Sequence, residues 1–229
     1  MIKDPPLLTL KRNINRPSAD QVAILAKAST GVLVDCLGGR GALCQSIKPV
    51  NPQAAHFVGV ALTCDAGPAD NLAVFGAMHI ATEGDVIIIA TDSFLTTAVV
   101  GDMVLGMAKN TGVKAVVTDG CIRDIEGCIK TGLPCYAAGV TPNSPARNGP
   151  GSAGFAVTVG GVPVDSGDVI VGDRDGVVVV PLLRIDDVIS KLDEVFVLEK
   201  ELDARVADGL QMPEFAGEII NSDRTVWVD

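Results

Sequence analysis

Gly101-Asp102 and Arg123-Asp124, separated by twenty residues, carry the most chemistry in this 229-residue chain. They place two carboxylates and a guanidinium beside glycine-containing turns at the ends of apolar runs. Carboxylate oxygens suit a hard divalent cation such as Mg²⁺, and a guanidinium offers a planar fork to an anionic group. The combination points to a metal-assisted enzyme acting on a small acid. Asp and Arg are also common surface residues, so the elements that hold these four must carry the argument further.

Val116-Val117-Thr118 ends a buried strand, Asp119-Gly120 turns the chain, and Ile122 to Thr131 suits a helix. Arg123 and Asp124 then fall in a first helical turn at the carboxyl end of a parallel strand, where open α/β sheets bind ligands. An aspartate there complements the helix dipole. An arginine opposes it by a few tenths of a kcal/mol, so a cation kept at that end implies an anion to be met. Val99 to Asn110 also suits a helix, yet an interior glycine costs roughly 1 kcal/mol relative to alanine. The helix is therefore expected to start near Gly101, leaving the amides of Met103 and Val104 as a cradle for a carboxylate.

Around these positions the chain alternates. Ser18-Ala19-Asp20-Gln21 reads as a capping box opening a helix through about Ala28, and Thr30 as the cap of a second helix through Leu37. Phe57–Thr63 reads as a strand. Gly67 to Asn71 is a turn, followed by a helix to about Ala81. Val86–Ala90 is a continuous apolar strand buried on both faces. Ala115–Thr118 and Cys135–Ala138 are further strands. Three strand-then-helix steps predict an α/β core over about 18–140, with parallel strands. Residues 141–154 are a long Pro-, Asn-, Ser- and Gly-containing loop of the kind that often carries function. A β-rich block over about 151–181, with a Gly160-Gly161 hairpin turn, is expected to form a second sheet. A charged helix spans about 185–209, and a short one Glu214–Ile220. No linker separates independent domains, so a single domain is expected.

Composition excludes several classes. Eighteen Lys and Arg against 28 Asp and Glu give a net charge of −10, which repels phosphate backbones and argues against nucleic acid as the main partner. The six cysteines form no C-x-x-C pair and only His56 and His79 could join them, so a zinc site is not expected. Most of the cysteines lie in apolar runs and read as small buried hydrophobes in a reducing cytosol. Met1-Ile-Lys-Asp-Pro-Pro lacks the apolar region of a signal peptide. No run approaches the ~18 apolar residues of a membrane span, so a cytoplasmic protein is expected. Asp173, Asp175 and Gly176 lack the rest of a calcium loop, and Gly149-Pro150-Gly151-Ser152 lacks the ending of a P-loop. Lys114 and Lys130 lie nearest the site, but nothing around them would depress a lysine pKa toward Schiff-base chemistry.

The run from Gly101 to Asp124 resembles the 4-hydroxy-4-methyl-2-oxoglutarate / 4-carboxy-4-hydroxy-2-oxoadipate aldolases. These are class II pyruvate aldolases in the same superfamily as the protein regulators of ribonuclease E activity. Ala66-Gly67-Pro68-Ala69-Asp70-Asn71 is similar to that family's Pro-Gly-Asp-Asn turn, with Ala69 in place of glycine, and Val164–Val177 resembles its β-rich block. The likeness implies a layered α/β/β/α sandwich assembled as a homotrimer or homohexamer, with sites between subunits. It implies that Asp124 holds Mg²⁺ or Mn²⁺, that Arg123 binds pyruvate and stabilises its enolate, and that Asp102 holds water on the metal. It further implies that the Gly101–Val104 segment receives the carboxylate through the Met103 and Val104 amides. An acid on the C-terminal helix of a neighbouring subunit completes the family's site; Glu199 fits best, with Glu201 and Glu194 as fallbacks. The implied reaction releases pyruvate from a 4-hydroxy-2-oxo acid, with oxaloacetate decarboxylation beside it, and Arg147 is a candidate for an extra substrate carboxylate. The alternative is a protein-binding regulator of ribonuclease E on the same fold. Asp124 favours the aldolase, since regulatory members tend to lack it.

Overall fold

The computed structural model describes residues 4–229; the first three residues of the Met1–Pro6 segment, read above as no signal peptide, lie outside them. By its contacts the chain divides into two units, one ending at Ser190 and one spanning Lys191–Asp229. The boundary falls within a helix, not in a linker.

In the first unit the strands are β1 (Leu8–Leu10), β2 (Lys48–Pro49), β3 (Phe57–Asp65), β4 (Asp85–Ala90), β5 (Ala98–Val100), β6 (Ala115–Thr118), β7 (Cys121–Ile122), β8 (Cys135–Ala137), β9 (Gly139–Val140), β10 (Gly151–Ala153), β11 (Val157–Val159), β12 (Val162–Val164), β13 (Val169–Gly172) and β14 (Val177–Val180). Its helices are α1 (Ala19–Leu25), α2 (Thr30–Cys36), α3 (Leu72–Ile80), α4 (Asp102–Asn110) and α5 (Ile125–Thr131). The helix α6 (Ile185–Ala207) begins in this unit, and α7 (Glu214–Ile220) lies in the second.

The main sheet runs β1-β10-β3-β4-β6-β8-β2, with β3–β4–β6–β8 parallel. Its parallel strands are mainly apolar, as burial on both faces requires, with Thr63, Asp85 and Thr118 as buried polar members. Alternate residues point to opposite faces. Leu62, Cys64, Ile87, Ile89 and Val116 pack towards α3, α4 and α5. Ala61, Val86, Ile88 and Val117 pack towards Val159, Val164, Ile170 and Val179. The result is the expected layered α/β architecture, its second β layer supplied by the antiparallel hairpin β11–β12 around Gly160-Gly161. Both glycines have positive φ, 55° and 79°, which a two-residue turn of this twist demands.

Several expectations give way to tertiary context. The strands β13 and β14 do not join a second sheet; β13 pairs with β3 and extends the main one. The loop over 141–154 ends in strand β10, held between β1 and β3. Val99 and Val100 are extended, not helical, as suits β-branched residues. Residues 121–122 are likewise a strand, so Arg123 and Asp124 precede α5 and do not lie within its first turn. The first helix ends at Leu25, short of Ala28. Ser29, not Thr30, caps α2, because the Thr30 amide and hydroxyl both donate to the Asp173 carboxylate, at 2.9 and 2.8 Å. The Ser18–Gln21 capping box is present in full. No described helix is long and apolar enough to cross a membrane.

Burial disfavours the Asp173 carboxylate, but hydrogen bonds from Thr30, Asp175 and Gly176 outweigh it and hold its pKa below the ordinary value. A depressed carboxyl contributes stability above its unfolded pKa and loses it as pH falls through the folded one. We expect Thr30→Val to cost about 1 kcal/mol at pH 7, with the difference from wild type shrinking below about pH 4. Urea unfolding across pH checks this, and a pH-independent difference refutes it.

Candidate functional site

Two short parallel strands bring the motif together. The strand β5 follows β4 and β7 follows β6, and the two pair in a small sheet, β5-β7-β9, outside the main one. The Arg123 amide donates to the Val100 carbonyl at 3.1 Å. Both strands end at the same level, each followed by a helix, so Gly101-Asp102 and Arg123-Asp124 arrive side by side. The twenty residues between them hold the rest of helix α4 and the strands β6 and β7.

The approach is close. A Cβ on Gly101 would lie 2.8 Å from Asp124 Oδ2 and 3.0 Å from Arg123 Cγ, so any other residue would force these two side chains to shift. A Cβ on Gly127 in α5 would likewise overlap the Asp102 carboxylate. Asp124 sits at the N-cap of α5 in the left-handed conformation, φ 56° and ψ 48°, and its side chain makes no capping bond. It pairs instead with Arg123, Nε to Oδ2 at 3.1 Å, with side-chain exposures of 37% and 47%. So open a pair contributes little to stability. Arg123 Nη1 also donates to the Ser144 hydroxyl. The unfavourable helix position inferred for Arg123 is therefore not what holds it; Asp124 and Ser144 are.

These groups line a cavity of about 310 Å³ that also includes Asn71, Met103, Val104 and Arg147. Gly101 is the N-cap of α4, which begins at Asp102 as expected. The Met103 amide differs from expectation: it already donates to Asp102 Oδ1 at 2.7 Å. That leaves the Val104 amide, which has no carbonyl one turn earlier in the helix to accept it. Arg147 is exposed and belongs to the cavity wall. Glu199, with Glu194 and Glu201, is exposed on α6 in the second unit, while every residue lining the cavity belongs to the first. Lys130 borders a wider depression beside Asp102 and Asp124, and Lys114 lines neither space.

Asp102 and Asp124 are the oxygen donors that could hold a cation. Among the described residues no group of three or more His, Cys, Asp or Glu converges. A cation here would keep most of its positions for water and ligand, which fits Mg²⁺ better than a softer metal.

Ser144 and Asn71 are site residues that the sequence reading did not single out. Both depend on the turn Ala66–Asn71. Asp70 accepts the amides of Asn148 and Gly149, at 2.6 and 3.2 Å. The Ala146 amide donates to Ala69, and the Asn71 amide to Ala146. The turn thereby pins the 143–149 loop, which delivers Ser144 and Arg147. Ala69 adopts φ 57°, where glycine would be unstrained.

A family model described as RraA-like, Aldolase/RraA, matches residues 23–179. A protein of Halalkalibacterium halodurans, provisionally named a 4-hydroxy-4-methyl-2-oxoglutarate aldolase, is 41% identical over 162 residues, or 71% of this chain and 77% of that protein. Among solved structures, the chain is similar to Streptomyces coelicolor RraAS2, described as an unusual member of the RNase ES inhibitor RraA protein family. That match has a TM-score of 0.74 and 26% identity, and covers 83% of this chain and 100% of the other. The RNA-processing inhibitor RraA of Thermus thermophilis matches with a TM-score of 0.62 and 28% identity, over 67% of this chain and 93% of that one.

Ala69→Gly is expected to stabilise the protein by about 1 kcal/mol by removing left-handed strain, as read from the urea midpoint; no gain refutes the strain. The charge of the site should show in Cys128, whose thiol is pushed up to about 11 by burial first and then by Asp102 and Asp124. Exposed Cys44 has a lowered pKa through its Ser46 hydrogen bond. Iodoacetamide at pH 8 should label Cys44 well before Cys128, and Asp102→Asn should speed Cys128 labelling. Peptide mass spectrometry showing equal rates would contradict both.

Proposed function

The chain belongs to the RraA-like family, and from that premise we propose that it is a divalent-metal-dependent aldolase releasing pyruvate from a 4-hydroxy-2-oxo acid. The observation that carries this reading is the Asp124 carboxylate. It stands at a helix start yet caps nothing, in a left-handed conformation, beside an arginine and inside a cavity. Strain and a charge spared from capping together suit a functional role. The relative named as a 4-hydroxy-4-methyl-2-oxoglutarate aldolase supports it.

Cleavage breaks the C3–C4 bond. The C4 hydroxyl loses its proton, its electron pair becomes the new carbonyl, and the C3–C4 electrons pass into a pyruvate enolate, which is then protonated at C3. Asp124 would hold Mg²⁺ or Mn²⁺, which when bound would supply Lewis acidity. Arg123 adds positive charge where the enolate oxygen develops, and a donor so placed is worth about 3–4 kcal/mol of barrier. The Val104 amide and the N-terminus of α4 receive the substrate carboxylate. Asp102 accepts the hydroxyl proton through a water. Arg147 meets any additional carboxylate on C4. Oxaloacetate decarboxylation, which passes through the same enolate, is an expected side activity. The reading includes assembly as a trimer or hexamer, in which Glu199 serves a neighbouring copy's cavity.

The second reading is a regulator of ribonuclease E, favoured by the likeness to the Streptomyces and Thermus inhibitors. The two readings separate in a coupled pyruvate assay with 4-hydroxy-4-methyl-2-oxoglutarate and 4-carboxy-4-hydroxy-2-oxoadipate. We expect turnover, its loss on chelation, its return with Mg²⁺, and a loss of at least about a thousandfold in Asp124→Ala. Turnover indifferent to chelator, or kept by Asp124→Ala, would defeat the metal assignment, and no turnover at all would favour the regulator.

A further inference from the structure

We propose that Asn71 is a positioning residue for the proton-removal step: its side-chain oxygen accepts a hydrogen bond from the water that takes the C4 hydroxyl proton, fixing that water between Asn71 and Asp102. The proposal rests on the aldolase reading and adds a residue to it.

Asn71 is 2% exposed and lines the same cavity as Asp102, Arg123 and Asp124. It occupies the N-cap of α3 but forms no capping bond with its side chain. Asparagine is among the best residues for that bond. Here Asp70 Oδ1 accepts the Leu72 amide at 2.8 Å instead, and the asparagine side chain turns away. Asn71 Nδ2 donates to the Val99 carbonyl at 3.1 Å. A carbonyl can only accept, so this bond settles which end of the amide is which. Oδ1 is left as a buried acceptor with no donor among the described residues. Buried polar atoms without a partner are rare and mark a place where a small polar molecule belongs.

The donor follows from the chemistry. The pyruvate end of the substrate offers only acceptors, and the C4 hydroxyl has a single proton, which must leave. A water taking that proton must point a lone pair at the hydroxyl, so both its own hydrogens need acceptors. Asp102 supplies one and Asn71 Oδ1 the other. The proton passes from hydroxyl to water and on to Asp102, and Asn71 stays neutral throughout.

The test compares Asn71→Ala with the wild type in three measurements: cleavage of 4-hydroxy-4-methyl-2-oxoglutarate, product inhibition by pyruvate, and Mn²⁺ binding by calorimetry. We expect kcat to fall about 10- to 100-fold, while the pyruvate inhibition constant and the Mn²⁺ affinity stay within about threefold. Asn71→Asp, which keeps the acceptor, should recover most of kcat. A variant that loses pyruvate affinity in step with kcat would show a structural role through Val99. One that loses Mn²⁺ affinity would make Asn71 a metal ligand, and one with unchanged kcat would leave it no role; each overturns the proposal. If Asn71→Ala does not fold, Asn71→Asp decides alone: kcat within about tenfold of wild type supports the proposal, and a larger fall with pyruvate affinity intact overturns it. A wild type that releases no pyruvate overturns the aldolase reading and this inference together. Cleavage by the wild type with any of the contrary variant results removes only the inference.

Discussion

At Gly101 the backbone of one strand end passes so near the side chains of the next that a Cβ between them would displace both. The site depends on this contact. Asp102 begins its helix, and Asp124 and Arg123 reach the cavity, only because β5 and β7 lie as adjacent parallel neighbours with Gly101 empty on the facing side. Bulk here would meet a carboxylate oxygen and the root of a guanidinium, and would separate the two halves of the motif.

The helices that open on this cavity share a second property. Elsewhere the starts of α1 and α2 are capped by serine side chains. At the starts of α3, α4 and α5 the N-cap residues Asn71, Gly101 and Asp124 make no side-chain capping bond, and at α3 Asp70 accepts the first amide instead. The glycine N-cap of α4 forgoes a few tenths of a kcal/mol and the unused aspartate of α5 about 1 kcal/mol. N-cap side chains left out of capping around one cavity, together with left-handed Asp124, are the pattern expected where local stability yields to a site. The stability comes instead from the two apolar layers either side of β3, β4 and β6.

Much of this was readable from the residues. Continuous apolar strands, glycine-marked turns and the Ser18–Gln21 box located most elements within a residue or two, because they rest on local periodicity and capping chemistry. The errors lie where tertiary pairing decides. Val99-Val100 and Cys121-Ile122 are too short to declare themselves as strands and pair only because the chain brings them together. Thr30 lost its capping role to a carboxylate 143 residues away. The pairing of β13 with β3 leaves no trace in either segment. Among the residues that line the cavity, Asp102, Arg123, Asp124 and Arg147 stood out in the sequence by their charges. Ser144 and Asn71 were missed because a hydroxyl or amide in a turn is indistinguishable from ordinary turn chemistry. An asparagine directly after an aspartate at a helix start was the one available signal, since a single cap needs only one of them.

The backbone at Asp124 has an evolutionary corollary. Left-handed geometry is open to glycine and comfortable for asparagine as well as aspartate. The side chain here contributes no cap and only an open ion pair to folding. On the proposed aldolase reading, exchange of this one acid for either neighbour in chemical space would silence the reaction and leave the architecture whole. A lineage built on this scaffold could therefore shed its chemistry in one step and keep a folded, acidic body free for other employment.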